Sequence, residues 1–237
     1  MARTQRTDLT QRADALLDAA AELLLATGSR RIRIEEVAAR AGVGKGTVYL
    51  HWGSRDHLLL AVGAREAAAM LDLVVAAVRE DPAEAAPHRY LRRHFLEAMR
   101  RPVLTTIFSA DVSELDAFAR HPARAGLRAS KPIGSRAYLS ALADHGLLRA
   151  HTDLADVEYG IQAVAYGFFT SDPLQATDPS RSLEHRADRL ADVIRRSFEP
   201  SETPAPDRYA AAAPHVIEAF TGVAGEYRRV AYGTAAD

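Results

Sequence analysis

Ile34-Glu-Glu-Val37-Ala-Ala-Arg-Ala-Gly42-Val-Gly44-Lys-Gly46-Thr-Val48-Tyr-Leu-His-Trp52-Gly-Ser-Arg55-Asp-His-Leu58 is the stretch on which the reading of this chain turns. Ile34, Val37, Ala38 and Ala41 recur at helical spacing and give a short helix one apolar face. Gly42-Val43 breaks it, and a second short helix is predicted from Gly44 to about Leu50. Ser54 then offers a side-chain oxygen to the first-turn amides of a longer helix that Pro82 stops.

Two short helices joined by a tight Gly-containing turn, with a third packed behind, form the helix-turn-helix arrangement. In that geometry the second helix of the pair enters the major groove of DNA and the first crosses the backbone. Val43 and Val48 are placed to lock the two helices together. Gly44, Lys45, Gly46, Thr47, Tyr49, Leu50 and His51 then face outward. Small glycines let the backbone approach a phosphate, Lys45 supplies a cation, and Thr47 and Tyr49 supply hydroxyls. Arg55 lies where a guanidinium and the free amides of the next helix can hold one phosphate together. Trp52 follows Val48 by one turn and is predicted to be core. Arg3 and Arg6 read equally as a minor-groove arm or as a solvated tail.

The stretch closely resembles the DNA-binding signature of TetR-type (TetR/AcrR) transcriptional regulators. The shared features are Ala-Gly-Val at 41–43, Lys45-Gly-Thr-x-Tyr49, the aromatic Trp52 and Ser54-Arg-Asp-x-Leu58, and the likeness covers roughly the first 65 residues. It implies a homodimer of all-helical subunits, each with a three-helix DNA head on a variable ligand-binding body. Three positions depart from the pattern. Arg33 stands where the family usually has a capping Ser or Thr, so a cap is lost and a phosphate contact is gained. Gly44 replaces a common Ser, and Leu50 stands where many members have a polar or aromatic residue, so it reads a thymine methyl or nothing.

Outward from this segment the chain stays helical. Ala13, Leu16, Leu17, Ala20 and Leu24 form an apolar stripe ahead of it, ended by Gly28. Further helices are predicted at 84–101, 103–109, 113–120, 132–146, 153–171 and 183–198, with breaks at Pro102, Pro122, Pro132, Gly146 and Asp172-Pro173. No window alternates apolar and polar residues as a strand requires, so the fold class is all-α: an N-terminal helix-turn-helix head on a larger helical bundle. Three regions follow: 1–53 as the DNA-binding domain, 54–199 as an effector-binding and dimerisation domain, and 200–237 as a Pro-rich linker with an extra helix. Val216, Phe220, Val223 and Tyr227 mark that helix, expected to dock weakly or on a partner subunit.

The resemblance also implies an effector pocket lined by aromatic and soft residues of the central helices. The candidates are Phe95, Met99, Ile107, Phe108, Phe118, Tyr138, Tyr166 and Phe169, with Gln162 as a polar contact; taken singly, each also reads as plain core. Gly160, Ala163 and Gly167 form a small-residue stripe that reads as a dimer face or as close packing inside one subunit.

Composition sets limits. Net charge is −1, with nine basic and seven acidic residues in 1–57, so bulk charge selects no partner. There is no cysteine, which excludes disulfides, zinc–thiolate sites and a cysteine nucleophile. No apolar run approaches the roughly 18 residues of a membrane span, and the first residues lack a signal-peptide core, so a cytoplasmic protein is expected. No His-Glu-x-x-His, Gly-x-Ser-x-Gly or phosphate-loop spacing is present. His88 and His94 do not share a helix face, so no metal site is predicted. The expectation is a non-enzymatic, cofactor-free, homodimeric repressor, released from a near-palindromic double-stranded operator by a small apolar or aromatic effector. The alternatives are a helical binding or enzymatic bundle with a vestigial head, and an activator or partner-controlled regulator.

Overall fold

A computed structural model describes residues 2–28, 31–108, 121–150, 153–175 and 181–233. Among them are ten α-helices and no strand. In chain order these are α1 (Ala2–Thr27), α2 (Ile34–Arg40), α3 (Lys45–His51), α4 (Arg55–Glu80), α5 (Pro87–Met99), α6 (Pro102–Phe108), α7 (Ala125–Asp144), α8 (Leu154–Gln175), α9 (Leu183–Phe198) and α10 (Pro206–Tyr232). The helix predicted at 113–120 lies outside the described residues.

Local chemistry explains most boundaries. Ser54 Oγ accepts the amide of His57 at 3.1 Å at the start of α4, and Ser182 Oγ accepts that of His185 at 3.1 Å at the start of α9. Asp153 Oδ1 accepts the amide of Ala155 at 2.7 Å ahead of α8. Two predicted stops are corrected: α7 runs through position 132 and α8 through position 173. Proline removes one ladder hydrogen bond, and here that loss does not end either helix. Pro214 lies inside α10 in the same way.

The chain forms two compact units. The first combines Met1–Ala68, Arg101–Leu127 and Gly225–Asp237. Its core holds Leu16, Leu17, Ala20 and Leu24 of α1, Ile34, Val37 and Ala38 of α2, Val48 of α3, Trp52, and Leu58 and Val62 of α4. Val103 of α6 joins them, and Val230 and Ala231 at the end of α10 are buried in the same unit.

The second unit combines Ala69–Arg100 and Arg128–Ala224. One core gathers Val74 and Val78 of α4, Tyr138 and Leu142 of α7, Val157 of α8, and Tyr209, Val216 and Phe220 of α10. A second core packs Leu91, Phe95 and Leu96 of α5 against Ala187, Leu190 and Ile194 of α9. The buried Glu199 carboxylate, just past α9, accepts the His88 amide at 2.7 Å and lies 2.7 Å from His88 Nδ1, closing the first turn of α5. The expected weak or intersubunit docking of α10 is corrected: its apolar stripe is buried in its own chain, with Ala212, Val216, Phe220 and Ala224 in the second unit.

Candidate nucleic-acid interface

The turn between α2 and α3 is built by backbone hydrogen bonds. Ala41 N–H donates to Val37 O at 3.0 Å, Gly42 N–H to Ala39 O at 3.2 Å and Val43 N–H to Ala38 O at 2.9 Å. Gly42 has φ +69, the left-handed conformation that glycine adopts without strain, and it reverses the chain after α2. Val48 is fully buried and Val43 part-buried against the same core, so the opposite side of α3 is fixed outward.

That side carries the predicted residues. Leu50 is 84% exposed and Tyr49 45% exposed, Lys45 and Gly46 are exposed, and Thr47 and His51 are part-buried. A Cβ at Gly44 or Gly46 would meet nothing within 4 Å, so intramolecular packing requires neither glycine. Lys45 sits in the first turn of α3, with its ammonium 5.8 Å from the centroid of the Tyr49 ring. His51 rests against Trp52 with ring centroids 5.2 Å apart. Burial, and then the Arg12 charge, lower its pKa and favour the neutral imidazole. Trp52 is in the core at 1% exposure, as its spacing predicts.

Two arginines need separate description. Arg33 is exposed at the start of α2 and makes no side-chain cap, in keeping with the loss of Ser or Thr there. Arg55 donates from Nε to the Ile32 carbonyl at 3.1 Å and pairs with Asp56 at 2.7 Å. Its guanidinium therefore ties down the segment that leads into α2.

In the second unit the structure divides the remaining candidates. Phe95 and Phe169 meet edge-on at 5.2 Å, and Met99 packs in the same cluster. Phe169 contacts His94 at 5.6 Å, His94 contacts Tyr90 at 5.5 Å, and Tyr90 contacts Tyr138 at 5.5 Å. Phe95, Tyr138 and Phe169 thus belong to one run of rings. Gln162 and Tyr166 do not: both are exposed, Tyr166 at 70%, and Gln162 bonds Glu158 at 3.3 Å. Gln162, Tyr166 and Phe169 share a face by the helical period, yet only the Phe169 ring packs into the cluster; Gln162 as its polar contact is corrected, because that side chain stays exposed and bonded to Glu158. The side chains of Ile107 and Phe108, and all of Phe118, lie outside the described residues.

The small-residue stripe splits likewise. A Cβ on Gly160 would lie 2.8 Å from the Phe198 ring, so Gly160 serves close packing of α8 on α9 within the subunit. Its assignment to a dimer face is corrected on that ground. Ala163 and Gly167 are exposed, and a Cβ on Gly167 would meet nothing within 4 Å.

Residues 16–62 match the family model described as bacterial regulatory proteins, tetR family. The head of the chain is therefore similar to that of the tetR family. No curated protein matches the chain. Solved structures share its fold, among them the fatty acid degradation regulator FadR from Bacillus halodurans, at 16% identity and TM-score 0.59, covering 77% of this chain and 94% of that one. SmeT, the repressor of the Stenotrophomonas maltophilia multidrug efflux pump SmeDEF, aligns at 18% identity and TM-score 0.58, covering 82% and 93%. A transcriptional regulator from Saccharomonospora viridis, solved in complex with choline, aligns at 18% identity and TM-score 0.55, covering 81% and 99%.

The chain also holds features that its sequence did not announce. Trp52 Nε1 donates to Ala231 O at 3.0 Å, and Tyr232 OH donates to Asp14 Oδ1 at 2.7 Å. Burial, reinforced by that bond, pushes the Tyr232 hydroxyl up to about 12. His94 Nδ1 is closed from solvent and has no hydrogen-bond partner. Burial, and then the Lys131 charge, bring its pKa down to about 4. An open cleft of about 360 Å³ lined by Ser140, Asp144, His145, His215 and Glu218 contains none of the predicted effector residues. Among the described residues no three His, Asp or Glu side chains converge as a metal ion would need, and no helix is long and apolar enough to cross a membrane.

Proposed function

We propose that the chain is a TetR-type transcriptional regulator: a cytoplasmic, non-catalytic repressor that binds a near-palindromic DNA operator as a homodimer and is released by a small apolar or aromatic effector. The observation that carries this is the outer face of α3. Leu50 is 84% exposed on a helix whose opposite side is locked into the core by Val48, with two glycines facing open space beside it. An apolar side chain so exposed on a well-anchored helix is suited to a partner surface, and the major groove admits a helix of this size. In this reading Lys45 and Arg33 hold phosphates, Gly46 lets the backbone close on one, and Thr47, Tyr49, Leu50 and His51 face base edges or sugars. Arg55 acts by holding the entry to α2.

The division of labour follows the chain: 1–53 for DNA, 54–199 for effector and dimer contacts, and α10 bracing its own subunit. The run of rings joining Phe95, Phe169 and Tyr138, with Met99 alongside, is the proposed effector region. That a structural relative was solved with choline and another with triclosan supports a ligand in such a body. The exposed outer face of α8, with Ala163, Tyr166 and Gly167, is the proposed dimer face. Effector and operator oppose each other by linkage, each weakening the other's binding by the same factor.

The test is fluorescence anisotropy of the purified protein on labelled duplex selected by it from its own genome, with a scrambled duplex as control, across a salt series. Preference for the selected duplex is expected, with log affinity falling linearly in log salt by about 0.9 per phosphate neutralised. Equal, weak binding to both overturns the reading in favour of a vestigial head.

A further inference from the structure

The left-handed turn at Gly42 brings the first turn of α3 back against the first turn of α2, and there Lys45 Nζ pairs with the Glu35 carboxylate. Both side chains are solvent-exposed, at 51% and 59%, and Lys45 also lies over the Tyr49 ring. The Arg33 charge reaches the same carboxylate. One of the two cations assigned to DNA phosphates is thus already engaged by a neighbouring acid. We infer that Glu35 sets the strength of the DNA interface: it holds Lys45 in the unbound protein and must yield it to a phosphate when α3 enters the groove. This rests on the DNA-binding reading above.

The physics is an exchange. An exposed ion pair contributes little and breaks readily, so Glu35 does not block Lys45; it subtracts from what a phosphate contact gains. After the exchange the Glu35 carboxylate stands unpaired beside the negative duplex and takes up a cation from solution. Net counterion release at this contact is correspondingly lost. Because phosphate contacts carry no sequence information, the penalty falls alike on operator and non-operator DNA. Glu35 therefore restrains affinity without touching base readout.

The experiment compares wild type, Glu35→Gln, Lys45→Met and the double variant, on the selected and scrambled duplexes in a salt series. Thermal melts verify that these exposed substitutions leave the fold intact. Glu35→Gln is expected to bind both duplexes about two- to fivefold more tightly at low salt. Its log–log salt slope should steepen by about 0.9. In the Lys45→Met background the same substitution should change neither quantity. Unchanged affinity and slope in Glu35→Gln overturn the inference while leaving the DNA-binding reading standing. An equal gain with Lys45 absent overturns it in favour of general charge repulsion. Failure of the wild type to bind any duplex overturns the inference and the DNA-binding reading together.

Discussion

The indole N–H of Trp52 donates a 3.0 Å hydrogen bond to the carbonyl of Ala231, which lies 179 residues further along the chain. Both groups are buried in the unit that contains α2 and α3. The last carbonyls of a helix have no partner within it, and the indole supplies one to the final turn of α10. Trp52→Phe removes the donor, leaves the carbonyl unpaired and opens some space. A loss of about 1–3 kcal/mol is expected, read by denaturant titration followed by far-UV circular dichroism. An unchanged midpoint would show that this bond does not support the head.

Gly46 separates stability from DNA affinity. Alanine there meets nothing within 4 Å and favours the helix, so Gly46→Ala should raise stability by about 0.5–1 kcal/mol. If the α3 backbone closes on a phosphate, the added methyl should weaken DNA binding at the same time. A melt and an anisotropy titration of one sample check the opposing signs; a variant that gains in both would remove Gly46 from the interface.

Gly160 and Gly167 lie two turns apart on α8 and should respond in opposite ways. Gly160→Ala presses a methyl into the Phe198 ring, 2.8 Å from the new carbon, and should cost about 1–3 kcal/mol while leaving the oligomeric state unchanged. Gly167→Arg enters open space in the single chain and should leave its fold intact. It should dissociate the proposed dimer in sedimentation velocity, and a persistent dimer would move the interface elsewhere.

His94 gives the fold a pH dependence of defined sign. Its imidazole titrates near 6.5 in the unfolded chain and at about 4 in the folded one. Between those values the unfolded chain binds the proton more readily, so stability contributed above pH 6.5 is lost as pH falls toward 4. The gap caps the effect near ~3 kcal/mol, and the residual exposure of the ring lowers it. His94→Phe should flatten the stability profile across that window in denaturant titrations at a series of pH values. An identical slope in variant and wild type would assign the dependence to other groups.

The head was legible because short-range rules fix it. Gly42 demands one backbone conformation, Ser54 one cap, and the spacing of Val37, Val48 and Trp52 one buried side. What escaped depends on partners that sequence spacing does not name. The stripe of α10 is plain in Val216 and Phe220, yet nothing local says that Ala231 will meet Trp52. A row of small residues along one face of α8 does not tell the end packed on Phe198, at Gly160, from the end left open, at Gly167. The prolines at 132 and 173 read as stops, yet α7 and α8 continue through them, because one missing ladder bond does not end a long helix. Lys45 read as a phosphate ligand, while its pairing with Glu35 emerged only once the turn had folded α3 back on α2.

The bond from Trp52 to Ala231 also imposes an order of events during synthesis. Ribosomes add about 5–20 residues per second, so the 179 residues between donor and acceptor take about 10–40 seconds to make. Through that interval the nascent head has its own three helices but lacks the helix end that completes its core. A chain cut short before α10 lacks this acceptor for the Trp52 indole, so its head is expected to open more readily to proteolysis than that of the finished chain.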